Sequence, residues 1–300
     1  MHARGARQRA GRFATLAGAV LLIALAGCKS TGQEEALGKE PSGPGAPVPD
    51  FDPKNFSDPT TIDNKWLPLR PGTQFIMEGE ADRGEGLIRH RAVFTVTNLT
   101  KVINGVKTLV MLDRDYNGEQ VAEAEIAFFA QDDEGNVWLL GEYPEEYEEG
   151  QFDGAPSTWI AGQAGAQPGI LMPADPKKGE PPFLQGLAPH VDFQDLARVE
   201  DVNRKTCVPA GCYEGVMVID EWDPGAQPQD GHQLKFQAPG VGNVRVEPRG
   251  GEEQETLVLV EQLELGPEAM TEVHAFARQL DAHAYETDAR YSATIPIEGP

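Results

Sequence analysis

Basic residues are scarce in this chain. Its 300 residues hold 25 lysines and arginines against 48 aspartates and glutamates, a formal charge of −23. So negative a surface repels phosphate backbones and anionic headgroups, which argues against nucleic acid as a partner. Cysteine is scarcer still, at three, too few for a disulfide-rich scaffold or a four-cysteine zinc site. No apolar run reaches the roughly 20 residues of a membrane-spanning helix. There is no G-x-S-x-G elbow, no phosphate-cradling glycine loop, no dinucleotide fingerprint and no H-x-H or H-E-x-x-H spacing. By motif, then, the sequence offers no cofactor, no metal site and no catalytic residue. What remains is 40% apolar residues, enough for a sizeable core.

The N-terminus carries an address. Arg4, Arg7, Arg9 and Arg12 precede an apolar run of roughly 15 residues that starts at Phe13, and small residues close it. A charged head, a short apolar middle and a small-residue exit make a secretory signal. The exit, Leu25-Ala26-Gly27-Cys28, resembles the bacterial lipobox. That resemblance implies removal of residues 1–27 and a diacylglycerol on Cys28, which tethers the chain to a membrane outside the cytoplasm. Lys29, rather than aspartate, follows the cysteine; in a cell with two membranes this favours the outer one. Residues 28–50 comprise the lipidated cysteine and a tether of glycine, proline, serine and charge that cannot offset its ordering entropy. As a coil the tether spans roughly 25 Å. Loss of the four leader arginines leaves 21 basic residues against 48 acidic ones, a charge of −27.

From Thr73 onward the apolar pattern has period two. Strands are expected at 74–78, 87–97, 106–113, 121–130, 137–140, 157–160, 191–202, 215–222, 233–238, 242–247 and 255–263. Turn signals separate them, among them Asn104-Gly105, Asn117-Gly118 and Pro239-Gly240. Short strands with no helix between them mean an antiparallel sheet. The fold class is therefore mainly β, a curled half-barrel or a sandwich over 51–265, with a C-terminal helix and tail over 266–300. Residues 162–186, rich in proline and glycine, read as one long loop. The helix begins at Pro267 and lines up Met270, Val273, Phe276, Ala277, Leu280 and Ala284 on one face. On a curled sheet the place for such a stripe is the open mouth, so the helix is expected to act as a lid.

Cys207 and Cys212 flank Val208-Pro209-Ala210-Gly211, a turn sequence, and outside the cytoplasm they are expected to pair. Four stretches, NFSDPTTIDNKWLPLRPGT, AQDDEGNVWLLGE, PGILMPADPKKG and APGVGNVR, resemble in content and order a widespread, uncharacterised group of bacterial exported proteins and lipoproteins. That resemblance spans about 200 residues and implies no activity. The Val208–Tyr213 hairpin is also distantly similar to one in lipoprotein-carrier-like half-barrels, from which both cysteines depart.

The remaining candidates are weaker. Asp113-Arg114-Asp115-Tyr116-Asn117-Gly118 begins like a calcium loop, but the twelfth position is Ala124, so a hairpin turn is the better reading. The glutamates at 142, 145, 146, 148 and 149 read as a solvated strand edge. His190 and Asp192 would share a strand face, and Asp230 lies near His232, without any metal or acid–base pattern. Nothing singles out a carboxylate pair from 48 acids. Trp66, Trp138, Trp159 and Trp222 are core residues by default; if the sheet is concave, Trp138 and Trp222, with Phe276 of the helix above, would line a site for an apolar ligand. The function expected is therefore non-catalytic: binding an apolar molecule or another envelope protein at the membrane surface. An envelope hydrolase without a recognisable motif, or a structural or cation-binding lipoprotein, are the alternatives.

Overall fold

The computed structural model describes residues 46–82, 86–225, 231–252 and 254–299. The signal peptide, Cys28 and residues 28–45 of the tether lie outside them. The chain begins with β1 (Thr73–Asp82), β2 (Leu87–Ile103), β3 (Val106–Asn117), β4 (Gln120–Gln131) and β5 (Val137–Glu148). Two short strands follow, β6 (Gln151–Gly154) and β7 (Trp159–Ile160), then β8 (Gln167–Met172) and β9 (Phe183–Ala188). The rest are β10 (Phe193–Val208), β11 (Gly211–Trp222), β12 (His232–Ala238), β13 (Gly242–Arg249) and β14 (Gln254–Glu264), before helix α1 (Pro267–Thr287).

Twelve strands close into one antiparallel barrel, in the order β4-β3-β2-β1-β14-β13-β12-β11-β10-β9-β8-β5, and β5 pairs back onto β4. The fold is mainly β with one C-terminal helix, as expected, and the curl continues past a half-barrel to full closure. β6 and β7 pair with β5 beside the ring. Tight turns follow the expected chemistry. Asn104 and Gly105 both take positive φ, 48° and 83°, as a two-residue hairpin loop demands.

Two expectations are corrected. Residues 162–186 are not one loop, because they contain β8 and the start of β9. Two of the glycines that suggested a loop, Gly169 and Gly186, are required by close packing. A Cβ on Gly169 would sit 2.3 Å from the Gln185 carbonyl carbon, and one on Gly186 would sit 2.6 Å from the Phe193 ring. Nor does the helix cover a mouth. It lies along the outer wall over β2, β4 and β5. The outward residues there are apolar: Leu112 pairs with Ile126 across β3 and β4, and Ile126 with Tyr143 across β4 and β5. Val273, Ala277, Leu280 and Ala284 are buried against this wall.

Two further segments finish the barrel. At one end the chain before β1 folds over the opening. Asn64, buried, holds it there by donating to the Gly135 and Pro173 carbonyls (2.9 and 3.1 Å) and accepting from the Trp66 and Leu67 amides. On the side, Cys207 and Cys212 form a disulfide with an S–S distance of 2.06 Å, stapling the β10–β11 hairpin. Its tip crosses to β14, where the Ala210 amide donates to the Leu259 carbonyl at 3.1 Å, past the short β13–β14 pairing at Arg245–Val258 and Val246–Leu257. Replacing both cysteines by serine should cost about 2 kcal/mol, the loop-entropy value for so short a ring. Urea midpoints with and without the bridge will show it. No change would mean that the hairpin is held by its ladder alone.

Candidate ligand-binding lumen

Register decides which side chains enter the barrel. Along β3, Met111, Asp113 and Asp115 alternate inward while Leu112 and Arg114 face out. Phe94 on β2 lies opposite Asp113, and on β4 Glu125 and Glu123 lie opposite Asp113 and Asp115. Followed round the ring, the same alternation brings in Met77 and Ala81 of β1, Glu255 and Leu257 of β14, Lys235 of β12, Glu221 of β11, Asp195 of β10 and Glu142 of β5.

The lumen has two ends of different character. Under the N-terminal strap it is apolar, with a cavity of about 50 Å3 among Leu67, Phe75, Met77, Phe94, Met111 and Phe129. One polar group lines that cavity, Asn243. It is buried and its Nδ2 has no partner among the described residues. Opposite Asn243 in the β12–β13 ladder stands Gln237, also buried, with its Oε1 unpartnered.

One step further along the strands the walls become acidic. Asp113, Asp115, Glu123, Glu125, Glu142, Asp195, Glu221 and Glu255 are all at most 6% exposed. Lys235 pairs with Glu221, and His90 Nε2 lies 3.0 Å from Glu255 and 3.8 Å from Asp115. Trp159, fully buried and stacked on Phe193 at 5.2 Å, donates its Nε1 to Glu142 Oε2 at 2.9 Å. Among the described residues, Oδ1 of Asp113 and Oε1 of Glu142 have no hydrogen-bond partner.

The electrostatics follow from this crowding. Burial, then the charges of Asp115, Glu125 and Glu123, push the Asp113 carboxyl well above the usual range. Glu142 is likewise raised by burial and by Glu125 and Asp195, against the opposing pull of Trp159 and Lys235. Asp195 rises through burial, Glu221 and Asp223, with Lys235 opposing. The partners named here sit on β3, β4, β7, β10, β11 and β12, so these groups feel one another across the lumen as well as along one strand. Burial alone would lower the His90 imidazole, but Glu255 and Asp115 outweigh it and push it up to about 9. Carboxylates directly opposite one another, as Asp113–Glu125 and Asp115–Glu123 are, destabilise a sheet. Such a perturbed cluster makes this wall a candidate functional site.

The residues singled out from the sequence lie elsewhere. Cys28 is outside the described residues. Trp138 faces out from β5, packed against Phe51 and Phe56 and bonded through Nε1 to Asp132 (2.7 Å). Trp222 is on the outer wall, stacked between His232 and Arg198, whose partner Asp220 is fully buried and also takes Arg249. Phe276 lies 5.9 Å from the Arg114 guanidinium on the helix side. These three aromatics share no site, and the tryptophan that does reach the lumen is Trp159. The glutamate run is not a solvated edge throughout: Glu142 and Glu145 are buried because β5 continues to Glu148 as a wall strand, and only Glu148 and Glu149 are exposed. Glu145 accepts from Tyr143 (2.8 Å) and Tyr147 (2.6 Å) and lies 2.7 Å from His283 of the helix. His190 sits in a short 3-10 turn and Asp192 takes positive φ, so the two do not share a strand face. Asn117 pairs with Gln120 in a hairpin, and Asp113 and Asp115 point into the barrel instead of forming a calcium loop. The clue to the lumen was visible as acids at alternate positions in two neighbouring strands, Asp113/Asp115 and Glu123/Glu125.

No protein-family model and no curated protein matches the chain. Among solved structures it is similar to a Bacteroides fragilis protein described as exported and as having a YmcC-like fold. The TM-score is 0.35 at 14% identity, over 66% of this chain and 98% of that one. It is also similar to a Parabacteroides distasonis protein described as a lipoprotein, with a TM-score of 0.34 at 13% identity over the same shares, 66% and 98%.

Proposed function

We propose that this chain is a lipid-anchored, extracytoplasmic binding protein that works without catalysis and takes the apolar part of a small ligand into the strap-covered end of its barrel. The observation that carries this reading is the apolar cavity lined by Asn243, whose buried Nδ2 is unpartnered among the described residues, with the unpartnered Oε1 of Gln237 on the facing strand. Well-packed proteins seldom leave such atoms without a partner. A void of about 50 Å3 has room for a few heavy atoms. The exposed outer wall of β1 and β2 carries Glu78, Glu80, Arg89 and Arg91, unlike the apolar band of a membrane barrel. Among the described residues no helix is long and apolar enough to cross a membrane, so the lipid on Cys28 is the attachment proposed.

Two experiments test the two halves of this reading. Cys28→Ala should move the protein from the membrane fraction to the soluble one; a variant that sediments with membranes as wild type does refutes the anchor. For the lumen, 1-hexanol should raise the melting temperature of the wild-type protein, since a ligand that binds only the folded state stabilises it. Met111→Trp, which fills the cavity, should abolish that rise. An equal rise in both proteins would show that the alcohol binds elsewhere.

A further inference from the structure

We infer that the ligand of the lumen is a cationic amphiphile, an alkylammonium whose N–H donors meet the acidic walls while its chain enters the apolar end. This deepens the reading above and rests on it. The apolar and acidic regions are adjacent on the same strands. Met111 lines the cavity, and Asp113, the next inward residue on β3, is about 7 Å further along. A short alkyl chain and its head group fit that step.

The need for donors comes from three side chains on three strands. Asp113 Oδ1, Glu142 Oε1 and Gln237 Oε1 are all buried acceptors without a partner among the described residues. Gln237 is the independent witness, because it is uncharged and belongs to no acidic run. It points an acceptor into the lumen from β12, roughly 7 Å along the strand from the inward Lys235. A buried acceptor left unmade carries a desolvation penalty. An ammonium group supplies three donors and a charge that matches its surroundings. A bare metal ion fits less well, because among the described residues no three acidic, histidine or cysteine side chains come together closely enough to hold one. An acidic or neutral amphiphile would bring further acceptors to a place already rich in them.

Proton linkage should accompany binding. Asp113 faces Asp115, Glu123 and Glu125; Glu142 faces Glu125, Asp195, Lys235 and Trp159; Asp195 faces Glu221, Asp223 and Lys235. His90, the other cation of this lumen, faces Asp115, Glu255 and Asn117. Burial, with crowding by like charges, holds the three acids protonated above their ordinary range, and an arriving cation favours their ionised forms. Binding should therefore release protons and tighten as pH rises from 5 to 8.

The test is calorimetry on the full lipoprotein held in nanodiscs, with empty nanodiscs as the blank and n-hexylammonium, 1-hexanol and hexanoate as probes. Hexylammonium should bind at least tenfold more tightly than hexanol, with heats that vary with the buffer's ionisation enthalpy, and hexanoate should not bind. In the double variant Asp113→Asn/Glu142→Gln the tenfold preference should vanish while hexanol still binds. Equal affinity for all three probes would overturn the charge assignment and leave the apolar-lumen reading standing. A preference that survives both substitutions would be attraction to the acidic surface and would equally overturn it. If none of the three binds, this assignment and the lumen reading both fall.

Discussion

Asp113→Asn together with Glu142→Gln should make the protein more stable at pH 7.5, by on the order of 1–3 kcal/mol for each site, the cost of a buried polar group left without its partner. Both carboxyls are raised in the folded state by burial and by like charges. The folded protein therefore binds protons that the unfolded chain has released, and the sign follows. These groups cost nothing below the ordinary carboxyl pKa of about 4, and their penalty grows as pH rises toward the folded-state values. His90 acts in the same direction. Raised to about 9, it contributes fully below its unfolded pKa of about 6.5 and its contribution is lost as pH rises through 9, an effect of roughly 3 kcal/mol. At the acid end Asp220 and Asp288 are held low: burial opposes ionisation in both, but His232, Arg249 and Arg198 outweigh it for the first and Arg290 for the second. Their stabilisation is lost as pH falls below about 4. Wild-type stability should therefore peak near pH 5 and decline toward pH 9. The double variant should keep only the decline due to Asp195 and, above pH 6.5, that due to His90. Urea midpoints across this range will measure both. A variant less stable than wild type at pH 7.5 would mean that these carboxylates hold the barrel together.

The second large effect is expected at the helix. Lys101, 1% exposed, donates to Asp281 Oδ1 (2.8 Å), the Tyr285 hydroxyl (3.0 Å) and the Ile295 carbonyl (2.6 Å), with the Tyr291 ring 4.3 Å away. Burial lowers its pKa against the pull of Asp281. Asp281 in turn accepts from Tyr291 (2.6 Å) and from the Ile297 amide (3.0 Å). One carboxylate thus ties β2, the helix and the C-terminal tail together. Asp281→Ala strands a buried ammonium and two donors and should cost about 3–5 kcal/mol, whereas Lys101→Met with Asp281→Leu should recover most of that loss. A double-mutant cycle in urea decides it; simple additivity of the two losses would show that the pair is not coupled. Removal of residues 267–300 should unfold the protein, since it strips cover from Ile126, Phe128 and Tyr143. A truncated form that stayed folded and bound a hydrophobic dye would show that the helix covers this wall without being needed to fold the barrel.

Strand positions, turns and the terminal helix were legible because each rests on local chemistry: alternation, Asn-Gly turns, and Pro267 ahead of an apolar stripe. The site was not. Alternation says which residues share a face but not which face turns inward. On polarity alone, Ala124, Ile126 and Phe128 of β4 belong in the core of a barrel and Glu123 and Glu125 on its surface. The structure reverses them in space: the apolar set lies under the helix, and the acids fill the lumen. That inversion depends on where a helix some 140 residues later comes to rest, and no window of sequence contains it. β8 was hidden for a different reason. Pro168 and Gly169 are breakers in isolation, and only the neighbouring strand reveals the need for a residue without a side chain.

The pairing of β1 with β14 also sets the order in which the protein can be made. Glu80 meets Thr256 across a sequence separation of 176 residues, whereas β1 through β5 are joined by successive hairpins. The first five strands can zip as they emerge, but the ring stays open until the last strand arrives, and ring closure over such a separation is slow. Until then β1 presents a free edge, and the wall that will carry the helix has no cover. With the export proposed above, the chain would arrive in its compartment as an open sheet with a bare edge, the form most prone to pair with a neighbour. Helix α1, made directly after β14, covers the wall as the ring shuts, so the aggregation-prone interval ends only with the final residues.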